Sequence, residues 1–110
     1  MAKFDDHIAF IRLLARDMDE DLKNEGDTLN MDLDEWLLFM KRFTYADGDK
    51  NMISLLDCAI EFCAIRAAHY SNNYSTSSQM SLATRRELMK ERAEFPDKYI
   101  YESSTVPFEG

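Results

Sequence analysis

The sequence predicts an all-α protein, a small four-helix bundle-like domain with an extended C-terminal tail. The 110 residues include only three Gly and two Pro, which leaves few positions for β-turns. Apolar residues make up 45% of the chain, enough for the buried core of one domain, and they recur at helical spacing. We expect a helical domain over residues 1–96 and a tail over 97–110, with helices at about 5–24, 32–46, 52–72 and 82–95.

The first two helices are predicted from apolar spacing and from capping residues. Phe4, Ile8 and Ile11 recur with gaps of four and three, as on one face of a helix. The second helix is expected to begin at Asp32, because Asp32 and Glu35 form an Asp version of the capping box. It is expected to end at the turn ADGDKN.

The third predicted helix, MISLLDCAIEFCAIRAAHY, is apolar around most of its circumference. A helix of this kind lies at the centre of a core or is shared with a second subunit. We therefore expect a homodimer or a higher oligomer. The candidates for that interface combine small side chains with an arginine and an aromatic ring: Cys63, Arg66, Ala67 and Tyr70.

Serine and asparagine dominate the stretch SNNYSTSSQMS, which we interpret as a loop before the fourth helix. Ser81 or Thr84 would cap that helix, and Pro96 would end it. The tail that follows is rich in aromatic residues. Disordered segments contain few of these, so we expect the part from Tyr99 to Tyr101 to pack on the protein.

The chain carries a formal net charge of −8, and its carboxylates concentrate in RDMDEDLKNEGDTLNMDLDEW, from Arg16 to Trp36. Such a chain repels DNA and anionic membranes, so we expect neither as a direct partner. Capping and the helix dipole account for the carboxylates that begin the second helix. The others are either a solvated rim or a surface for a basic site on another protein. The candidates for partner binding are Asp17, Glu20, Asp21, Glu25 and Asp27.

Cys58 and Cys63 indicate a reducing compartment. Their spacing of five places them roughly 140° apart on a helix, where they cannot form a disulfide with each other. The N-terminal sequence MAKFDDHIAF lacks the apolar core of a signal peptide, and no uncharged apolar run approaches about 18 residues. We expect a cytoplasmic protein, located in the host cytoplasm if a phage encodes it.

The sequence contains no recognisable catalytic, cofactor or metal motif, so we predict that the protein is not an enzyme and binds no cofactor. The stretch DGDKN lacks the glycine and the glutamate that a calcium loop needs at fixed positions. We interpret Asp57 and Glu61 as a solvent-facing stripe rather than as an ion-paired interface or a catalytic pair. Cysteines in apolar surroundings have a raised thiol pKa and low reactivity. We expect His69 to be buried and hydrogen-bonded.

We expect the protein to act by stoichiometric binding to another protein, as an inhibitor or an adaptor. Its small size, acidity and missing active site suit the inhibitors that phages and mobile elements encode, and such an origin is a hypothesis. One alternative is a helical oligomer that binds or hydrolyses nucleotides, in which Arg85, Arg86 and Lys90 would contact phosphate. A second alternative is a structural subunit of a larger assembly.

Overall fold

The computed structural model of the chain describes residues 4–16, 31–70 and 75–102, which form four helices and one three-stranded antiparallel sheet. The prediction of an all-α four-helix bundle is therefore wrong. None of the described helices is long and apolar enough to cross a membrane. In chain order the elements are α1 (Phe4–Leu14), α2 (Leu33–Lys41), β1 (Thr44–Asp47), β2 (Lys50–Ser54), α3 (Leu55–Tyr70), α4 (Ser75–Glu94) and β3 (Ile100–Glu102).

A hairpin of β1 and β2 replaces the end of the second predicted helix and the start of the third. Its strands pair with Asp47 opposite Lys50, so a two-residue turn that begins with Gly48 connects them. Gly48 has a φ of 69°, and a positive φ at the first turn residue is what a type II′ hairpin turn requires. Thr44 and Ile53 lie opposite each other, and both are β-branched, which favours a strand over a helix.

The capping box that the sequence predicts at the start of α2 is present. The Glu35 backbone nitrogen donates to the Asp32 side chain at 2.8 Å, and the Asp32 nitrogen donates to the Glu35 carboxylate at 3.1 Å. These reciprocal bonds satisfy two of the backbone donors that every helix start leaves open. The helix that begins at this cap buries Trp36, Phe39 and Met40 in the core.

The helix α1 ends well before the sequence predicts. The expected helix over residues 5–24 stops at Leu14, and a turn follows. Arg16 has a φ of 57°, in the left-handed region that a continuing right-handed helix cannot accommodate. Its backbone nitrogen donates to the Leu13 carbonyl at 3.1 Å, which tightens the last turn. The rest of the predicted helix, 17–24, lies outside the described residues.

The helix α3 lies at the centre of the fold. Its apolar circumference predicted either this central position or an interface with a second subunit. It begins at Leu55, directly after β2, and buries residues on most of its faces, including Cys58, Phe62 and Tyr70. The helix α1 packs on it, and α4 packs along it. On the α2 side, the rings of Trp36 and Phe62 lie 5.1 Å apart between centroids.

The helix α4 begins at Ser75, so the prediction of a loop over the serine-rich stretch is wrong from that residue onward. Tertiary packing explains the difference. The hydroxyl residues Ser78, Ser81 and Thr84 lie on the buried side of α4, and Ser78 Oγ donates to the Ala67 carbonyl of α3 at 2.7 Å. With hydroxyls on its buried side, this half of α4 shows no apolar stripe that a sequence pattern could reveal.

The first part of the C-terminal tail packs on the protein as a strand. β3 pairs antiparallel with β2, with Ser54 opposite Ile100, and β2 is the central strand of the sheet. The ring of Tyr99 lies edge-on to Phe10 of α1 at a centroid distance of 5.1 Å. The expectation that this segment packs on the protein is confirmed, and residues 103–110 lie outside the described part of the chain.

Candidate functional site

The outward side of α2 presents leucines to solvent. At about 100° per residue, the exposed residues Leu33 and Leu38 lie roughly 140° apart around the helix, and the arc between them also carries exposed Asp34 and Lys41. We call these four residues, Leu33, Asp34, Leu38 and Lys41, the α2 outer face. Leu33 is 58% exposed and Leu38 is 70% exposed. Single exposed leucines are common on protein surfaces, and here two of them lie on either side of a carboxylate on one short helix.

Negative charge collects at the start of the same helix. Asp32, Asp34 and Glu35 are all exposed, and the helix dipole stabilises carboxylates at this end. Asp32 and Glu35 serve the capping box. Asp34 forms no ion pair with another described residue.

The five carboxylates predicted to bind a partner lie outside the described residues. They are Asp17, Glu20, Asp21, Glu25 and Asp27. The acidic tract that contains them leads from Arg16, after α1, to Met31, just before α2. In sequence, therefore, the tract runs directly into the acidic start of α2.

A cleft of about 150 Å³ lies where the end of α1, the second half of α3 and the first half of α4 meet, and we call it the α4 cleft. Its lining includes Arg16 after α1, Arg66 of α3, and Ser81, Thr84 and Glu87 of α4. The guanidinium nitrogens of Arg16 lie 3.4 and 3.5 Å from the carboxylate oxygens of Glu87. Both side chains are largely exposed, so this ion pair contributes at most about 1 kcal/mol.

The interior of the α4 cleft contains buried polar groups. Arg66 is 3% exposed, and its guanidinium carbon lies 5.5 Å from the centre of the Tyr70 ring, a cation–π contact. Ser81 is 2% exposed, and its Oγ has no hydrogen-bond partner among the described residues. A buried hydroxyl without a partner costs about 1–3 kcal/mol, and such groups are rare in folded proteins. The Ser81 oxygen is closed to solvent, so it lies beneath the surface of the cleft.

The residues predicted for an oligomer interface lie inside the monomer. Cys63, Arg66, Ala67 and Tyr70 are all buried, and α4 packs along the helix that carries them. The apolar circumference that led us to expect a dimer is covered by α1 and α4 of the same chain. An interface made of these four residues would require α4 to move away. Self-association itself stays a prediction.

The cations predicted for a phosphate site lie on α4 but are not among the described residues that line the α4 cleft. Arg86 and Lys90 are exposed, and Arg85 is half-buried. The cations of the cleft are instead Arg16 and Arg66. The residues three and four positions from Arg66 on its helix include no carboxylate, a signal that the sequence carries, whereas the place of Arg16 depends on the fold alone.

The acidic pair on α3 and the stretch DGDKN have structural roles. Asp57 Oδ1 accepts a hydrogen bond from Arg92 Nε of α4 at 2.8 Å, which ties α3 to α4, and Glu61 is half-buried. DGDKN forms the β1–β2 turn with its flanking residues. Burial, together with the neighbouring Asp57 charge, raises the pKa of the Cys58 thiol, so this cysteine is unreactive. Within 4–16, 31–70 and 75–102, no three metal-ligating side chains come together.

The two histidines differ in burial, and the expectation for His69 is wrong. His69, expected to be buried, is exposed, and its ring contacts that of Tyr70. His7 of α1 is buried, and neither of its ring nitrogens has a hydrogen-bond partner among the described residues. Burial lowers the pKa of His7, and the nearby charge of Asp6 opposes this with a smaller effect. His7 is therefore neutral at pH 7.

Comparison with protein-family models, with curated proteins and with solved structures finds no match for this chain. The case for a function depends on the geometry of the chain itself. The feature that carries it is the α2 outer face, with its exposed leucines.

Proposed function

We propose that this protein acts by stoichiometric binding to another protein, as an inhibitor or an adaptor in the cytoplasm, and that the α2 outer face is its contact surface. The observation that carries the proposal is the exposure of Leu33 and Leu38, 58% and 70%, on either side of Asp34. The acidic tract that precedes α2 adds further carboxylates next to this face in the sequence. The matching partner surface is an apolar patch bordered by lysine or arginine.

The leucines and the carboxylates contribute to binding in different ways. Fully burying a leucine side chain contributes about 1.5–3 kcal/mol, and a few residues at the buried centre of an interface carry most of its binding energy. Exposed ion pairs give at most about 1 kcal/mol each. Carboxylates at the surface mainly raise the association rate by attracting a basic partner. We therefore expect the leucines to set the dissociation rate and the acidic tract to set the association rate.

A matched set of variants tests the role of the α2 outer face. The test variant combines Leu33→Ser with Leu38→Ser, and the control variant, Leu13→Ser, replaces a leucine of similar exposure, 59%, on α1. Each tagged protein captures partners from extracts of its native cells, and mass spectrometry quantifies what is retained. Circular dichroism establishes that each variant is folded.

The expected result is one protein retained in a one-to-one ratio by the native chain and by the Leu13→Ser control, and lost from the double variant. A loss of about 3 kcal/mol of binding energy corresponds to an affinity more than 100-fold weaker. Equal retention by all three proteins would place the interface away from α2. If the native chain retains no protein stoichiometrically, the binding function itself is contradicted.

A further inference from the structure

We propose that His7 and the strand β3 form an acid-sensitive conformational switch, in which protonation of His7 releases β3 from β2. Three observations carry this proposal: a buried imidazole whose two nitrogens have no described partner, its ring contact with β3, and the shortness of that strand. None of them involves the α2 outer face, so the switch is independent of the proposed function.

His7 lies where a second proton is unfavourable. It is 2% exposed, and both of its ring nitrogens are closed to solvent and without a hydrogen-bond partner among the described residues. A neutral imidazole carries one N–H group, whereas the protonated ring carries two and a positive charge. Because a buried charge without partners is costly, His7 gains the second proton when the structure around it opens.

The charges near His7 do not offset this cost. Burial lowers its pKa, and the Asp6 carboxylate on the same helix raises it by a smaller amount. The group that faces it from β3 is the Tyr101 phenol, which is neutral below about pH 10. The helix α3 also packs on α1, and no charged or acid-titratable residue of α3 or β3 contributes to the shift. These residues are Asp57, Glu61, Arg66, His69 and Glu102.

Ring contacts join α1 to β3. The ring of His7 lies 6.2 Å from that of Tyr101 between centroids. The ring of Phe10, one turn along α1, lies 5.1 Å from that of Tyr99 and 6.2 Å from that of Tyr101. Aromatic pairs attract at centroid distances of roughly 4.5–7 Å. The strand β3 and the residue before it are therefore part of what encloses His7.

Of the elements around His7, β3 separates at lower cost than α1. It has three residues, all half-buried or exposed, and it lies at the edge of the described sheet. Tyr99, just before it, has a φ of 61°, a left-handed conformation that costs energy for a residue with a side chain. In contrast, α1 buries Ile11 completely in the core, so its departure would expose apolar surface. Release of β3 also frees the edge of β2, which another strand can then pair with.

Hydrogen exchange of the full chain, followed by NMR between about pH 7.5 and pH 5, tests the switch across the ordinary range of histidine titration. The reporter is the Leu55 amide, which donates to the Tyr99 carbonyl at 3.0 Å and loses this bond when the strand leaves. Amides in the middle of α1 report movement of that helix, and those in the middle of α3 report unfolding of the whole chain. Rates are converted to protection factors, which removes the intrinsic pH dependence of exchange.

The expected result is that the Leu55 amide is less protected than the amides of α1 and α3, and that its protection falls below pH 6.5. Because opening takes up one proton, the fall approaches about 10-fold per pH unit. The switch is overturned if the protection of Leu55 does not change with pH. Protection equal to that of the α3 amides would also overturn it, because β3 would then leave only on unfolding. Protection equal to that of the α1 amides would show that α1 moves with it.

Variants separate the titration of His7 from the attachment of β3. His7→Gln removes the titrating group, so the protection of Leu55 should no longer fall with pH, whereas His69→Gln should keep the fall. Tyr101→Ala loosens β3 and, because linkage is reciprocal, should shift the pKa of His7 toward 6.5 in an NMR titration. Tyr45→Ala on β1 is its matched control, since the two tyrosines are 42% and 45% exposed. This titration decides the question even if His7→Gln does not fold, and an equal His7 pKa in both tyrosine variants overturns the switch.

Discussion

Helices α2 and α4 distribute their polar and apolar residues in opposite ways. The helix α2 buries aromatic rings and leaves Leu33 and Leu38 at the surface, whereas α4 buries the hydroxyls of Ser78, Ser81 and Thr84. The large rings fix α2 against the core, and neither Leu33 nor Leu38 is among the described residues that pack on that core. The small hydroxyl residues let α4 approach α3 closely, and Ser78 Oγ donates a hydrogen bond to the Ala67 carbonyl between them. The exposed leucines on α2 thus face outward, whereas the buried hydroxyls on α4 serve packing within the chain.

The largest expected effect is a difference in stability between substitutions on the buried side and on the exposed side of α2. The ring of Trp36 is buried and lies 5.8 Å from that of Phe39 and 5.1 Å from that of Phe62. Trp36→Ala is expected to lower the free energy of unfolding by about 3–5 kcal/mol, because it leaves a cavity in the core. Leu38→Ala, on the α2 outer face, is expected to change it by less than about 0.5 kcal/mol. Urea denaturation measures both, and similar losses would show that Leu38 is needed for the fold.

The next effect concerns the acidic tract, which we expect to act on binding but not on folding. A variant with Asp17→Asn, Glu20→Gln, Asp21→Asn, Glu25→Gln and Asp27→Asn is expected to associate roughly 10-fold more slowly with the captured partner. The salt dependence of association should flatten, because screening then has fewer charges to act on. Surface plasmon resonance at several salt concentrations measures both quantities. If the association rate and its salt dependence do not change, the acidic tract does not contact the partner and only keeps the protein soluble.

A smaller difference in stability is expected between alanine variants of two serines on the buried side of α4. Ser78→Ala removes the hydrogen bond to the Ala67 carbonyl and is expected to lower the free energy of unfolding by about 1 kcal/mol. Ser81→Ala removes a hydroxyl without a described partner and is expected to leave stability unchanged or slightly higher. Urea midpoints of the two variants make the comparison. Equal losses would mean that the Ser81 hydroxyl forms a hydrogen bond that stabilises the fold.

The smallest expected effect is a pH dependence that comes from His7. Because burial lowers the pKa of His7 in the folded protein, the unfolded chain binds this proton more readily. The stability contributed by neutral His7 is therefore complete above the ordinary pKa of 6.5 and is lost as the pH falls below it. His7→Gln should reduce that loss in thermal unfolding between about pH 6.5 and pH 5, whereas His69→Gln should not. The same pH slope in both variants would contradict a special environment for His7.

The two helices also differ in how far the sequence could predict them. The start of α2 was predictable because Asp32 and Glu35 stand three residues apart and cap the helix by local bonds. The extent of α4 was not, because its buried side carries hydroxyls whose packing against α3 no spacing pattern reveals. The α4 cleft was also hidden, since Arg16, Arg66 and Ser81 meet only through the fold.

The sequence analysis did not predict the sheet, for a related reason. Pairing between β2 and β3 joins segments more than 40 residues apart, which a local pattern cannot show. The hairpin did carry a local signal. The strand-favouring residues Thr44 and Tyr45 precede Gly48, and Met52 and Ile53 follow it, an order that favours two strands around a tight turn.

The central claim is that the α2 outer face contacts the partner. Hydroxyl-radical footprinting of the protein alone and in its complex measures the solvent access of Leu33 and Leu38 directly. We predict that both leucines lose reactivity on binding, while Met80 and Met89, which are exposed on α4, keep theirs. Protection of the α4 methionines with unchanged reactivity of the two leucines would contradict this account.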